Sequence, residues 1–121
     1  MTAMFPGIEP AVALARQRPA VPIGGTDQDN ATLAERIPGS LIGITYAQVV
    51  TEHRNLRLIA INGVQPSLET YESGQYPYGK PLYLIALEKP APEVGRLLDF
   101  IRSADGGKAM RDAGTVTCPH T

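Results

Sequence analysis

The sequence has a single cysteine, Cys118, which excludes an internal disulfide framework and any cysteine-rich zinc site. Neither sign of charge is in excess. Eleven Lys and Arg stand against 12 Asp and Glu, giving a formal net charge of -1 and a sequence pI near 6.1. No basic stripe with interleaved aromatics is present, so neither nucleic acid nor an anionic membrane is an expected partner. The longest apolar runs are six or seven residues, far below the ~20 that a membrane-spanning helix requires. Residues 1–10 lack the basic start and apolar core of a secretory signal. Paired Cys-x-x-Cys, His-Glu-x-x-His and a serine nucleophile elbow are all missing, as are internal repeats and low-complexity tracts. No catalytic set, metal site or cofactor is expected.

What is present suits one domain over residues 1–121, with 43% hydrophobic and 19% charged residues, enough to fold. Eleven prolines and 12 glycines predict short elements joined by many turns. Residues 1–23 are the hardest to assign. Pro10 opens a short helix with Arg16 and Arg18 at its end, and Pro19 stops it. After Gly24-Gly25, Thr26 or Asp27 caps a helix reaching Arg36, with Leu33, Ala34 and Ile37 inward. Residues 41–46 read as a buried strand, 47–53 as a short helix with Val49 and Val50 inward, and 56–61 as a second strand with Arg57 exposed. Asn62-Gly63 is a strong turn signal. Ser67 caps a short helix that Gly74 ends, and 82–87 form a third strand. Val94, Leu97, Leu98 and Ile101 make the firmest helical stripe, from Pro92 to Ser103. Ser103 caps a last helix that buries Ala109, Met110 and Ala113 before Gly114. Gly106-Gly107 should weaken its first turn by roughly 1 kcal/mol per glycine. Strands alternating with helices predict an α/β chain with a mixed sheet flanked by short helices.

Few residues carry chemistry. Gly24-Gly25-Thr26-Asp27, between strand and helix, can offer backbone N–H groups to an anion, with Thr26 adding a hydroxyl and Asn30 an amide. Simple helix capping is the favoured reading, because no full phosphate-loop motif is present and Asp27 and Asp29 oppose an anion. His53 reads as a solvated helix end. Cys118 and His120 lie too near a terminus to gather the third group that a thiol catalyst needs. Glu69 and Glu72 share one side of a short helix, where solvation is the simpler role. Tyr71, Tyr76, Tyr78 and Tyr83 surround a Gly/Pro loop, either lining a cleft or packing that loop, with packing favoured.

Three segments, read together, carry a resemblance: residues 37–45 (IPGSLIGIT), residues 58–67 (LIAINGVQPS), and residues 73–77 (SGQYP) leading into 80–85 (KPLYLI). The run from Leu97 to Gly114, with Phe100, Ile101, Ser103, Gly106 and Met110, continues the series. In order and spacing the set resembles the C-terminal part of the phosphate-type substrate-binding proteins of ABC transporters, which have the type II periplasmic-binding-protein fold. The likeness covers about Gly24 to Gly114.

That resemblance implies a partial two-lobed α/β receptor that closes on phosphate or a similar oxyanion. It implies no enzymatic activity, an ABC permease as partner, and a periplasmic or extracellular location. Gly25, Thr26 and Asn30 become the candidate ligand-binding residues. The sequence departs from the family in lacking the upstream phosphate-gripping loops, including a Gly-Ser-Gly-Thr helix start. It is therefore expected to be a truncated receptor, with weak or partner-dependent anion binding. Its incomplete core is expected to drive self-association or binding to a complementary chain, through the apolar strands and the Val94/Leu97/Leu98/Ile101 face. The alternative is an interaction module on the same scaffold that has lost its ligand.

Overall fold

Helix boundaries in this chain are set by local capping chemistry. In the computed structural model, which describes residues 5–117, six short helices follow one another. They are α1 (Glu9–Arg16), α2 (Asp27–Arg36), α3 (Tyr46–Thr51), α4 (Leu68–Glu72), α5 (Pro92–Arg102) and α6 (Ala104–Asp112). Thr26 Oγ1 accepts from Asp29 N at 3.0 Å to start α2, and Ser67 Oγ accepts from Thr70 N at 3.1 Å to start α4. Ser103 Oγ accepts from Gly106 N at 3.1 Å to start α6. Each cap satisfies a donor that the first helical turn leaves orphaned. Pro92 opens α5 where its missing N–H is not needed. These helices lie close to where the sequence places them.

The expected mixed sheet does not form, and the periplasmic-binding-protein type II-like α/β fold is thereby overturned. Among the described residues the only strand-like pairing is one isolated antiparallel bridge between Ile61 and Val64. Residues 41–45, 54–60 and 77–87 run without turn or bend, as strands do, but no ladder joins them. The second segment shows why. Asn62 (φ 52°) and Gly63 (φ 80°) form the tight turn that normally joins a hairpin, and Ile61 and Val64 exchange both backbone bonds at 3.0 Å. The next hydrogen-bonded rung would pair Ile59 with Pro66, which has no N–H to give. The hairpin stops after one rung. Along residues 52–60 burial still alternates strictly, with Leu56, Leu58 and Ala60 half-buried and Arg57 and Ile59 exposed. The β pattern is present, and the partner is missing.

The interior is correspondingly thin. Ala31 is fully buried, and Gln48 is the buried polar side chain. Leu33 and Ala34 are half-buried while Ile37 is exposed, so the expected inward face of α2 is shifted by about one position. Val49 and Val50 of α3 are half-buried. Within the expected apolar stripe of α5, Leu98 and Ile101 are half-buried and Val94 and Leu97 exposed. In α6, Met110 and Ala113 are half-buried and Ala109 is exposed.

Two close backbone approaches hold the C-terminal helices in place. Gly106 tucks under the end of α5, where an added Cβ would sit 2.0 Å from the Phe100 carbonyl oxygen. Gly114 (φ +77°) ends α6 against the start of α3, with room for a Cβ only 3.0 Å from the Ala47 Cα. Among the described residues, α5 and α6 form the one extensive helix–helix contact. No described helix is long and apolar enough to cross a membrane.

The surface area quantifies this openness. A globular monomer of 13.0 kDa exposes about 6,300 Å² by the usual scaling with mass. This chain exposes 9611 Å², about 3,300 Å² more than that scaling allows. The most exposed apolar stretch is residues 82–87, where Ile85 is 95%, Tyr83 81% and Leu87 81% exposed.

Candidate functional site

Gly25, Thr26 and Asn30 lie about the start of α2, where Thr26 and Asn30 spend their side-chain oxygens on neighbouring backbone N–H groups. Gly24 N donates to Asn30 Oδ1 at 3.0 Å, and a Cβ on Gly24 would lie 2.7 Å from both Asn30 N and Oδ1. Thr26 Oγ1 is occupied as the helix cap. Beside Gly25 stands the Asp29 carboxylate, whose Oδ2 would be 3.6 Å from an added Cβ. An anion there would meet a like charge before it met the backbone N–H groups. Asp27, the other acid of the first turn, lies 3.5 Å from Lys80 Nζ in an exposed pair.

Next to this turn is an open groove of about 310 Å³, lined by Gly24, Gly25, Asp29, Thr32 and Arg36 among others. It places one cation, Arg36, at the far end of α2 from the two acids. The cap and the groove are thus adjacent features of one helix, with Asp29 common to both.

A second polar cluster, in which the sequence singled out only His53, as a solvated helix end, ties residues 48–55 to α2. Arg54 Nε donates to Glu52 Oε2 at 2.7 Å, while its Nη1 reaches Glu35 Oε2 and Thr32 Oγ1, each at 3.2 Å. Glu35 Oε1 also accepts from Asn55 N at 2.8 Å. Gln28 and Gln48 donate to the two oxygens of Glu52 at 3.2 Å each. The Arg54 hydrogen bond, with help from Gln48 and Gln28, holds the Glu52 carboxyl below the usual carboxylate range, and Glu52 in turn raises Arg54. Arg54 Nε and Nη1 already have carboxylate and hydroxyl acceptors on two elements, so the cluster is a clasp between them. Its signal was not recoverable from spacing, because the partners that join the two elements lie 19 to 24 residues apart.

The remaining sequence candidates scatter. His53, exposed at φ 50°, terminates α3, as its polar surroundings suggested. Glu72 pairs with Arg111 of α6, and the Glu69 carboxyl is lowered mainly by its own backbone N–H and by Ser67. Tyr76 and Tyr78 pack edge to face with centroids 5.4 Å apart, Tyr71 lies over Gly79, and burial pushes the Tyr76 hydroxyl up. Tyr83 stands apart in solvent, so the four tyrosines do not line one cleft. Cys118 and His120 lie outside the described residues. Among the described residues no three His, Cys, Asp or Glu side chains group to hold a metal ion.

A larger groove, of about 480 Å³, separates residues 84–90 from α5. Leu84, Ala86 and Glu88 line it on one side and Gly95, Leu98 and Arg102 on the other. It is open, and its lining mixes apolar Leu84, Leu87 and Leu98 with charged Glu88, Asp99 and Arg102. Comparison with protein families, curated proteins and solved structures finds no match to this chain.

Proposed function

We propose that this protein is a non-enzymatic interaction module whose fold is completed by docking onto polypeptide, with residues 80–88 and the facing side of α5 as the contact. The observation that supports this reading is the unspent apolar surface. Five large side chains between Leu82 and Leu87 are 69% exposed or more. Among the described residues, no backbone group of 82–87 finds a backbone partner. Exposed polar backbone beside exposed apolar side chains is the arrangement that strand addition uses: main-chain bonds supply affinity and side-chain pockets supply selectivity. Amide exchange in the dilute, monomeric chain tests it. Residues 80–88 are expected to exchange at nearly the rate of an unstructured peptide. Strong protection there would mean that the chain covers this segment itself, and the reading would fall.

One observation favours a second reading, an oxyanion-binding domain of the phosphate-receptor type with an ABC permease as its partner. Arg36 and Thr32 share the α2 groove with Gly24 and Gly25, giving a cation and a hydroxyl donor beside a glycine turn. Titration calorimetry with phosphate, sulfate and molybdate separates the two readings. The interaction module is expected to show no binding tighter than millimolar for any of the three. Tighter binding that Arg36→Ala abolishes would establish the second.

A further inference from the structure

We infer that the occupant of this surface is a second copy of the same chain, paired antiparallel along residues 80–88 about a two-fold axis through Leu84. The inference rests on the interaction-module reading and names its partner.

The sequence of this segment is self-complementary in one register. With Leu84 on the axis, Lys80 faces the partner's Glu88, Leu82 faces the partner's Ala86, and Tyr83 faces the partner's Ile85. Opposite charges therefore close both ends of an uncharged stretch, and a large ring meets a β-branched side chain within it. Moving the axis by half a residue sets Lys80 against Lys89, and moving it by one residue sets Leu82 against Glu88. Neither keeps the charge match.

The backbone agrees with this register. If Leu84 forms the central hydrogen-bonded pair, then Leu82 and Lys80 also fall at hydrogen-bonded positions. Pro81 falls between them, at a position whose N–H would point away from the partner, so its missing donor breaks no rung. Residues 80–87 already run without turn or bend, and the chain bends at Glu88, so pairing asks only that this last residue straighten.

Support comes from α5. A lone two-stranded ribbon is marginal in water and needs a backing layer. The side chains of Leu84 and Ala86 line the groove whose opposite wall is α5. Each copy would thus back the shared ribbon with its own helix, through Leu98 and the exposed Leu97. Apolar area is available as well: a stable interface takes about 800 Å² from each partner, and Leu82, Tyr83, Leu84, Ile85 and Leu87 are each 69% exposed or more. The exposed Lys80–Asp27 pair, at 3.5 Å, is the one contact that Lys80 would exchange.

Sedimentation equilibrium of the full chain across the micromolar range, with a charge-swap cycle, tests this. The chain is expected to sediment at twice 13.0 kDa. Glu88→Lys alone sets two pairs of like charges at the ribbon ends and is expected to weaken the dimer about tenfold. Lys80→Glu alone should do the same. The double variant, K80E with E88K, restores the wild-type constant. A monomer throughout with unprotected residues 80–88 would remove the second copy as occupant and leave the module reading standing. A monomer with those residues protected would remove both. A dimer unmoved by either single reversal would overturn the register.

Discussion

Gly106→Ala is expected to spring open the corner between α5 and α6, lowering stability by about 3 kcal/mol, the upper end for overpacking a filled site. The added methyl would lie 2.0 Å from the Phe100 carbonyl oxygen and 2.8 Å from the Ile101 Cα. Both obstacles are backbone, so no side-chain rotation relieves them. One helix or the other must move, and the one extensive helix–helix contact among the described residues goes with it. Ser103 sits in the same corner, donating from Oγ to the Phe100 carbonyl at 2.6 Å while capping α6, and both bonds depend on the tight approach. The neighbour supplies the control. A Cβ at Gly107 meets nothing within 4 Å. Gly107→Ala should therefore stabilise α6 by about 0.5–1 kcal/mol, the ordinary gain of alanine over glycine inside a helix. Urea denaturation followed by circular dichroism measures both. Equal effects of the two substitutions would show that the corner is not as tight as its geometry.

Arg54→Ala is the second large effect, because it removes one cation that serves two carboxylates. Glu52 and Glu35 would be left facing each other across the gap between α3 and α2, with Thr32 unbonded as well. The melting temperature is expected to fall by several degrees. Arg54→Lys is expected to recover little of it, since an ammonium cannot present separate N–H groups to Glu52 on one side and Glu35 and Thr32 on the other. The pH dependence identifies the cause. Glu52 is held below its ordinary value of 4.5, so the folded chain binds its proton more weakly than the unfolded chain does. Its contribution is therefore complete above about pH 4.5 and is lost as the pH falls through the lower folded value. In Arg54→Ala the Glu52 carboxyl returns toward its ordinary range and that acid-limb slope flattens. Thermal melts between neutral pH and pH 3, compared for the two chains, read this directly. An unchanged slope would assign the acid sensitivity to another group.

These two sites mark where sequence reasoning succeeds and where it stops. The helices were legible because their signals are local: a serine or threonine accepts a bond from three residues on, a proline opens a first turn, a glycine at positive φ closes a last one. The sheet was misread for a reason equally physical. Alternation along residues 52–60 is real and appears in the burial of each side chain, but a strand needs a partner, and periodicity says nothing about whether one exists. Pro66, set where the second rung of the hairpin requires a donor, was visible in the sequence, and its weight follows only once the register from Ile61 and Val64 is known. Gly25, Thr26 and Asn30 are near one another because six residues across a helix start leave little freedom. That the Asn30 side chain turns back to the Gly24 N–H depends on torsions that no pattern encodes. The Arg54 clasp was hidden because its halves come from separate elements.

The wetness of the lone chain also reaches into its thermodynamics. An unfolded chain of 13.0 kDa exposes on the order of 18,900 Å². Starting from 9611 Å², melting hydrates about a quarter less new area than it would for a well-filled domain of this mass. Heat capacity follows newly hydrated apolar area, so its increment on melting shrinks in proportion. The free-energy dome loses curvature: a solitary copy tolerates chilling well, yet reaches no tall maximum at any temperature.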